Sequence, residues 1–166
     1  MDKLSIRDLT NMALLTALVT IATITITIPI PATGGYLNLG DSIIFLAAIL
    51  FGWRYGMVAG GLGAALADLF VAPAFALPTL IVKGVMGLLV GKIGNSKDKN
   101  LLSFRNVIAL LLGTLWMAAG YYITQVIMLR NFQVPLVEVG PNIMQGIMGS
   151  ILFLPIALVL RKVKVQ

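Results

Sequence analysis

Six stretches of the chain are apolar almost without interruption, and short polar or Pro/Gly-containing segments divide them. They run over about 9–28, 41–52, 57–71, 79–93, 104–129 and 141–160. A helix needs about 20 apolar residues to cross a hydrocarbon core about 30 Å thick. The pattern predicts an all-α polytopic membrane protein of six transmembrane helices, folded as one integral membrane domain over 1–166. Two places fit less simply. The end of the first stretch, Thr23-Ile-Thr-Ile-Thr-Ile28, alternates with a strand period. An isolated strand cannot satisfy its backbone in lipid, so the helix is expected to continue until Pro29 and Pro31 stop it. The second stretch, counted from Asp41 to Phe51, covers only about 17 Å as a helix. Either the uncharged segment Ile30–Gly40 supplies its first turn, or that segment dips into the membrane. Irregular backbone is tolerated at that depth only where protein or a cavity satisfies it, which is a first pointer to a site.

Composition agrees: 59% of residues are apolar and 11% charged, against about 45–50% and about 25% in soluble domains. The net charge of +6 does not mark a nucleic-acid binder, because the basic residues lie between apolar runs and form no face. They set orientation instead. With both termini cytoplasmic, Lys3, Arg7, Arg54, Lys92, Lys97, Lys99, Arg105, Arg161, Lys162 and Lys164 fall inside. Arg130 falls outside, and Lys83 lies within a span. Met1–Asp8 carries two acids beside its two bases, unlike the leading region of a signal peptide, so the first helix is read as retained. The expected location is a prokaryotic cell membrane. The absence of Cys and His removes thiol catalysis and the usual zinc and haem ligands. Gly87-Leu-Leu-Val-Gly91-Lys92 lacks the spacing and hydroxyl of a phosphate-binding loop. No catalytic residue, metal or cofactor is expected, and the chain does not read as an enzyme.

The polar residues of the spans gather towards the outer end. Tyr36 and Asn38 lie on the first outer loop, Lys83 near the outer end of span 4, and Tyr121, Tyr122 and Gln125 in the outer half of span 5. Asn142 and Gln145 begin span 6. Polar groups in spans are costly and usually face a cavity or a partner, so these eight are the candidate substrate-binding residues. Gln145 lies too deep to be a cap. At least one of Tyr121 and Tyr122 is expected to face inward, and Asn142, after Pro141, either caps span 6 or faces ligand. Asp41 is expected to cap span 2. Asp68 and Lys83 either pair with each other or face a ligand. Small residues at Gly56, Gly60 and Ala64, and at Gly84, Gly87 and Gly91, are read as close packing within the bundle.

Several stretches together resemble the substrate-binding S components of energy-coupling factor (ECF) vitamin transporters, near the riboflavin-type and hydroxymethylpyrimidine-type branch. They are Tyr36-Leu-Asn-Leu-Gly-Asp41 through Gly52-Trp-Arg-Tyr-Gly56, Gly60-Gly-Leu-Gly-Ala-Ala-Leu-Ala-Asp-Leu-Phe70, Leu80-Ile-Val-Lys-Gly84 and Asn142-Ile-Met-Gln-Gly146. The resemblance covers nearly the whole chain. It implies six helices and a vitamin site near the outer face, built by the first loop and spans 4 to 6. It also implies a membrane T component and two cytoplasmic ATPase subunits as partners. Docking would use an Ala-x-x-x-Ala face, matched here by Ala13 and Ala17, and delivery would occur by toppling of the subunit in the membrane.

The candidate groups suit a small hydroxylated ring, hydroxymethylpyrimidine or a pyridoxine-like compound, ahead of riboflavin or pantothenate. Lys83 argues against a thiamine-type cation, and Trp116 is the one tryptophan near the expected pocket. Two other readings stay open. A purely structural subunit would have a fully self-paired polar cluster. A stand-alone secondary transporter would show internal repeats with broken helices at the midplane.

Overall fold

A computed structural model describes residues 5–94 and 101–164, with side chains described up to 160. Helix α1 (Ile6–Thr25) opens on a reciprocal cap. Ser5 Oγ accepts from Asp8 N at 3.2 Å, and Asp8 Oδ2 accepts from Ser5 N at 2.9 Å. Both orphan donors of the first turn are thereby used. Met12, Leu15, Val19 and Thr23 form its buried stripe, while Leu14, Leu18, Ile21 and Ile24 remain exposed. A helix apolar on both faces suits a lipid surrounding.

The helix ends at Thr25, three residues before the expected Ile28. The alternating tail instead forms strand β1 (Thr27–Ile30), which pairs antiparallel with β2 (Gly35–Asn38). The register sets Thr27 opposite Asn38 and Pro29 opposite Tyr36. The expectation of a continued helix rested on an isolated strand having no partner, and β2 supplies one. Gly34, at φ 72°, takes the left-handed position of the turn.

After the hairpin, α2 (Gly40–Leu46) continues as a π-helical segment, Ala47–Phe51. Its brevity has a packing reason. Residues Ile44 to Ile49 are at most 3% exposed, so this element runs through the middle of the bundle and needs no lipid-spanning face. Gly52, at φ 104°, ends it. Helix α3 (Trp53–Val71) begins immediately, four residues earlier than expected. A short 3-10 turn, Pro73–Phe75, leads into α4 (Ala76–Ile93). Helix α5 spans Phe104–Leu129, the predicted bounds. Helix α6 spans Leu136–Lys164 and starts five residues before Pro141.

Helices α3 and α4 form the closest seam. A Cβ on Gly87 would lie 2.0 Å from the Gly56 carbonyl oxygen, and one on Gly91 would lie 2.4 Å from the Trp53 Cα. The glycine steps therefore serve packing within the bundle, as read from their spacing. Among the described residues, four helical segments are long and apolar enough to cross a membrane: Ile6–Thr25, Pro73–Ile93, Phe104–Leu129 and Leu136–Leu160. The chain is thus a mostly helical protein with a membrane protein's apolar surface. Of the basic residues used for orientation, Lys3, Lys97 and Lys99 lie outside the described residues.

Candidate functional site

One end of the bundle collects the C-terminus of α1, the hairpin, the C-terminus of α3 and the N-termini of α2, α4 and α6. Two polar groups meet there, and they differ in how completely they are bonded.

The first centres on Lys83, 2% exposed. Its Nζ forms an ion pair with Asp41 Oδ1 and lies 2.8 Å from the Met117 sulfur. The Tyr121 ring sits 5.7 Å from it, within cation–π range. Asp41 Oδ2 accepts from Gln145 Nε2 at 2.8 Å, and Gln145 Oε1 accepts from the Asn38 backbone N–H at 2.8 Å. This chain of bonds ties α4, α2, α6 and β2 together. One expectation is corrected here, and one of two open alternatives is not met. Asp41 does not cap α2: Leu39 holds the cap position, without a side-chain cap bond. Lys83 pairs with Asp41 and not with Asp68, because α2 runs between α4 and α6 and brings Asp41 to the ammonium.

Asp68 serves the hairpin. Its Oδ1 accepts from the Tyr36 hydroxyl, and Thr79 lies beside it. Burial, then the bond to Asp68, pushes the Tyr36 phenol above its ordinary range, so it remains a donor. Thr79 Oγ1 and Tyr121 OH share a hydrogen bond of 3.0 Å. Asn38 Oδ1 accepts from Gly40 N at 2.9 Å, closing the hairpin onto α2.

These groups surround a narrow cavity of about 30 Å³ that is partly open at its mouth. Tyr36, Asn38, Lys83, Tyr121, Asn142 and Gln145 all line it, so six of the eight candidates converge. Thr23, Gly35, Ala64, Asp68, Phe75, Thr79 and Glu138 complete the wall.

The second polar group is on the α6 side. Glu138 Oε2 accepts from Gln125 Nε2, which ties α5 to α6. Oε1 of the same carboxylate has no hydrogen-bond partner, and neither do Gln125 Oε1, Asn142 Nδ2 or Thr23 Oγ1. Gly35 and the Asn142 amide lie beside the carboxylate, but Gly35 N bonds to Thr33 Oγ1 at 3.4 Å instead. Glu138, Asn142 and Thr23 are each at most 5% exposed. Buried polar atoms without partners are uncommon and costly.

Gln125 stands behind the wall as the support of Glu138. Tyr122 is turned away: its hydroxyl donates to Phe132 O at 3.1 Å in the loop after α5. Of the two tyrosines, Tyr121 is the inward one. Asn142 is not a cap, since α6 begins a turn and a half before it. Trp116 is not near the cavity; its indole N–H donates to Val82 O at 3.0 Å across the α4–α5 contact. Sequence reasoning missed Glu138, which lies outside the six apolar stretches, just before the one that opens at Pro141. The signal was its position four residues before Asn142, a helical spacing hidden by Pro141.

Comparison with known proteins places this geometry in context. Residues 3–162 match the family model described as the ECF-type riboflavin transporter, S component. The thiamine precursor transporter HmpT of Lactococcus lactis subsp. cremoris is 32% identical over 154 residues, 92% of this chain and 86% of its own length. An uncharacterized protein of Pyrococcus woesei, from the gap 3′ region, is 44% identical over 104 residues, 62% of this chain and 68% of its own.

Proposed function

This chain belongs to the ECF-type riboflavin transporter S-component family, and we propose that it captures a thiamine precursor of the hydroxymethylpyrimidine type at the outer face of a prokaryotic cell membrane. It is a vitamin-transport subunit and not an enzyme. One observation carries the substrate reading: the cavity is narrow and its wall holds three buried polar atoms without partners, on Glu138, Asn142 and Thr23. A purely structural subunit would have paired these groups internally. A single ring with amino and hydroxyl substituents suits the space better than the three fused rings of a flavin. The relative that transports a thiamine precursor supports the same choice.

In this reading all six helical segments cross the membrane, with α2 and its π-helical continuation passing inside the bundle, and both termini are cytoplasmic. The cavity then opens outward. Tyr36, Asn38, Lys83, Tyr121, Asn142 and Gln145 form the substrate site, with Gln125 as a support. Ala13 and Ala17, both exposed on α1, form the face that docks on a membrane T component. Two cytoplasmic ATPase subunits supply the energy, and the subunit topples to deliver its ligand.

The test is mass spectrometry of small molecules released from the protein purified in detergent. Hydroxymethylpyrimidine is the expected species. Riboflavin, pantothenate or a pyridoxine-like compound in its place would replace the substrate assignment. Orientation is tested with single cysteines, since the chain has none of its own. A cysteine at Ala32, exposed at the tip of the hairpin, should react with an impermeant maleimide on intact cells, and one at Ser5 should not.

A further inference from the structure

We propose that Glu138 and Asn142 form the specificity element of this site, reading an amino group and the adjacent ring nitrogen of the captured pyrimidine. The inference rests on the capture reading above and adds which atoms of the ligand are recognised, and by which residues. Glu138 and Asn142 are one turn apart on α6, so both side chains project from the same face. The first offers an acceptor without a partner, Oε1; the second offers a donor without a partner, Nδ2. Both residues line the cavity and are at most 5% exposed.

A ring carrying an amino group beside a ring nitrogen presents the complementary order, an N–H donor next to an acceptor. The other carboxylates are less suited. Asp41 is committed to Lys83 and Gln145, and Asp68 to the Tyr36 hydroxyl with Thr79 beside it. The bond from Gln125 occupies Oε2 and fixes the carboxylate between α5 and α6. That contact alone accounts for a structural role, but it leaves Oε1 free. Gly35 makes the arrangement possible, because a Cβ there would lie 2.2 Å from Oε1. Among the described residues, no Lys or Arg pairs with Glu138, and the Asn142 amide and Gly35 N–H that lie beside the carboxylate make no bond of good geometry to Oε1, which leaves that oxygen for a ligand donor.

The experiment compares two probes by calorimetry on the full chain in detergent. One is 4-amino-5-hydroxymethyl-2-methylpyrimidine; the other is the same molecule without its amino group. The wild-type chain should favour the amino compound by about 30-fold, the size of a hydrogen bond to a charged group. Glu138→Ala should abolish the preference. Glu138→Gln keeps the side-chain volume should the alanine variant fail to fold. It should lower the preference severalfold, because a neutral amide oxygen accepts more weakly. Equal binding of both probes by the wild type overturns this inference while leaving capture intact. So does an undiminished preference in the Glu138 variants. Binding of neither probe, with retention of a different vitamin, overturns the capture reading itself.

Discussion

The two polar groups at the cavity end of the bundle are alike in residue type and opposite in bonding. Around Lys83, the ammonium, both oxygens of Asp41 and both polar atoms of the Gln145 amide have partners. Around Glu138 on α6, four buried polar atoms have none: Glu138 Oε1, Gln125 Oε1, Asn142 Nδ2 and Thr23 Oγ1. Burial makes both arrangements high-stakes, because an unpaired polar group in a low-dielectric interior costs far more than one in water. The comparison separates roles that residue identity cannot. A closed network holds helices in register. An open one has capacity left for a ligand.

The largest expected effect comes from breaking the closed group. Lys83→Met leaves the Asp41 carboxylate buried without its partner, a loss on the order of 3–5 kcal/mol. The thermal midpoint in detergent should fall accordingly, and adding Asp41→Leu should recover much of it. A variant as stable as wild type would show that the pair does not hold the fold. Next is the apolar seam: Gly87→Ala forces a methyl against the Gly56 carbonyl, and overpacking of this kind costs about 1–3 kcal/mol. Melting should report it, with ligand affinity preserved in whatever fraction folds.

Asn142→Ala tests the open group. Its Nδ2 makes no bond in the protein, so stability should change by less than about 1 kcal/mol while affinity for the pyrimidine drops about tenfold. A large stability loss with unchanged affinity would reverse the assignment of the two groups. The smallest effect on both stability and binding should come from Ala13→Trp or Ala17→Trp on the exposed face of α1. There, co-purification with the T component should fail while calorimetry stays unchanged.

Much of the architecture was legible along the chain. The bounds of α5 and the C-terminal end of α4 coincide with the apolar runs, and the glycine steps of α3 and α4 pack as their spacing implied. Boundaries failed where a partner overrode the local signal. Thr27–Ile30 reads as the end of a helix until Gly35–Asn38 is brought beside it. Leu136–Gly140 reads as a loop because Pro141 marks a helix start more often than a helix interior. That misreading removed Glu138 from view. Six of the eight candidate residues do converge on one cavity, since polar positions in apolar runs are costly and rarely idle.

Hydropathy and span length are sums over neighbouring residues, so the sequence by itself determined the membrane class, the helical segments and the end of the bundle where the polar groups collect. Only the tertiary structure decided that Asp41 meets Lys83, that Tyr36 meets Asp68 and that Glu138 keeps an unused oxygen. A hydrogen bond depends on two atoms about 3 Å apart, and residues 41, 83 and 145 acquire that proximity only when three helices pack. Which polar group is closed and which is open therefore belongs to the packing, although every atom involved is written in the chain.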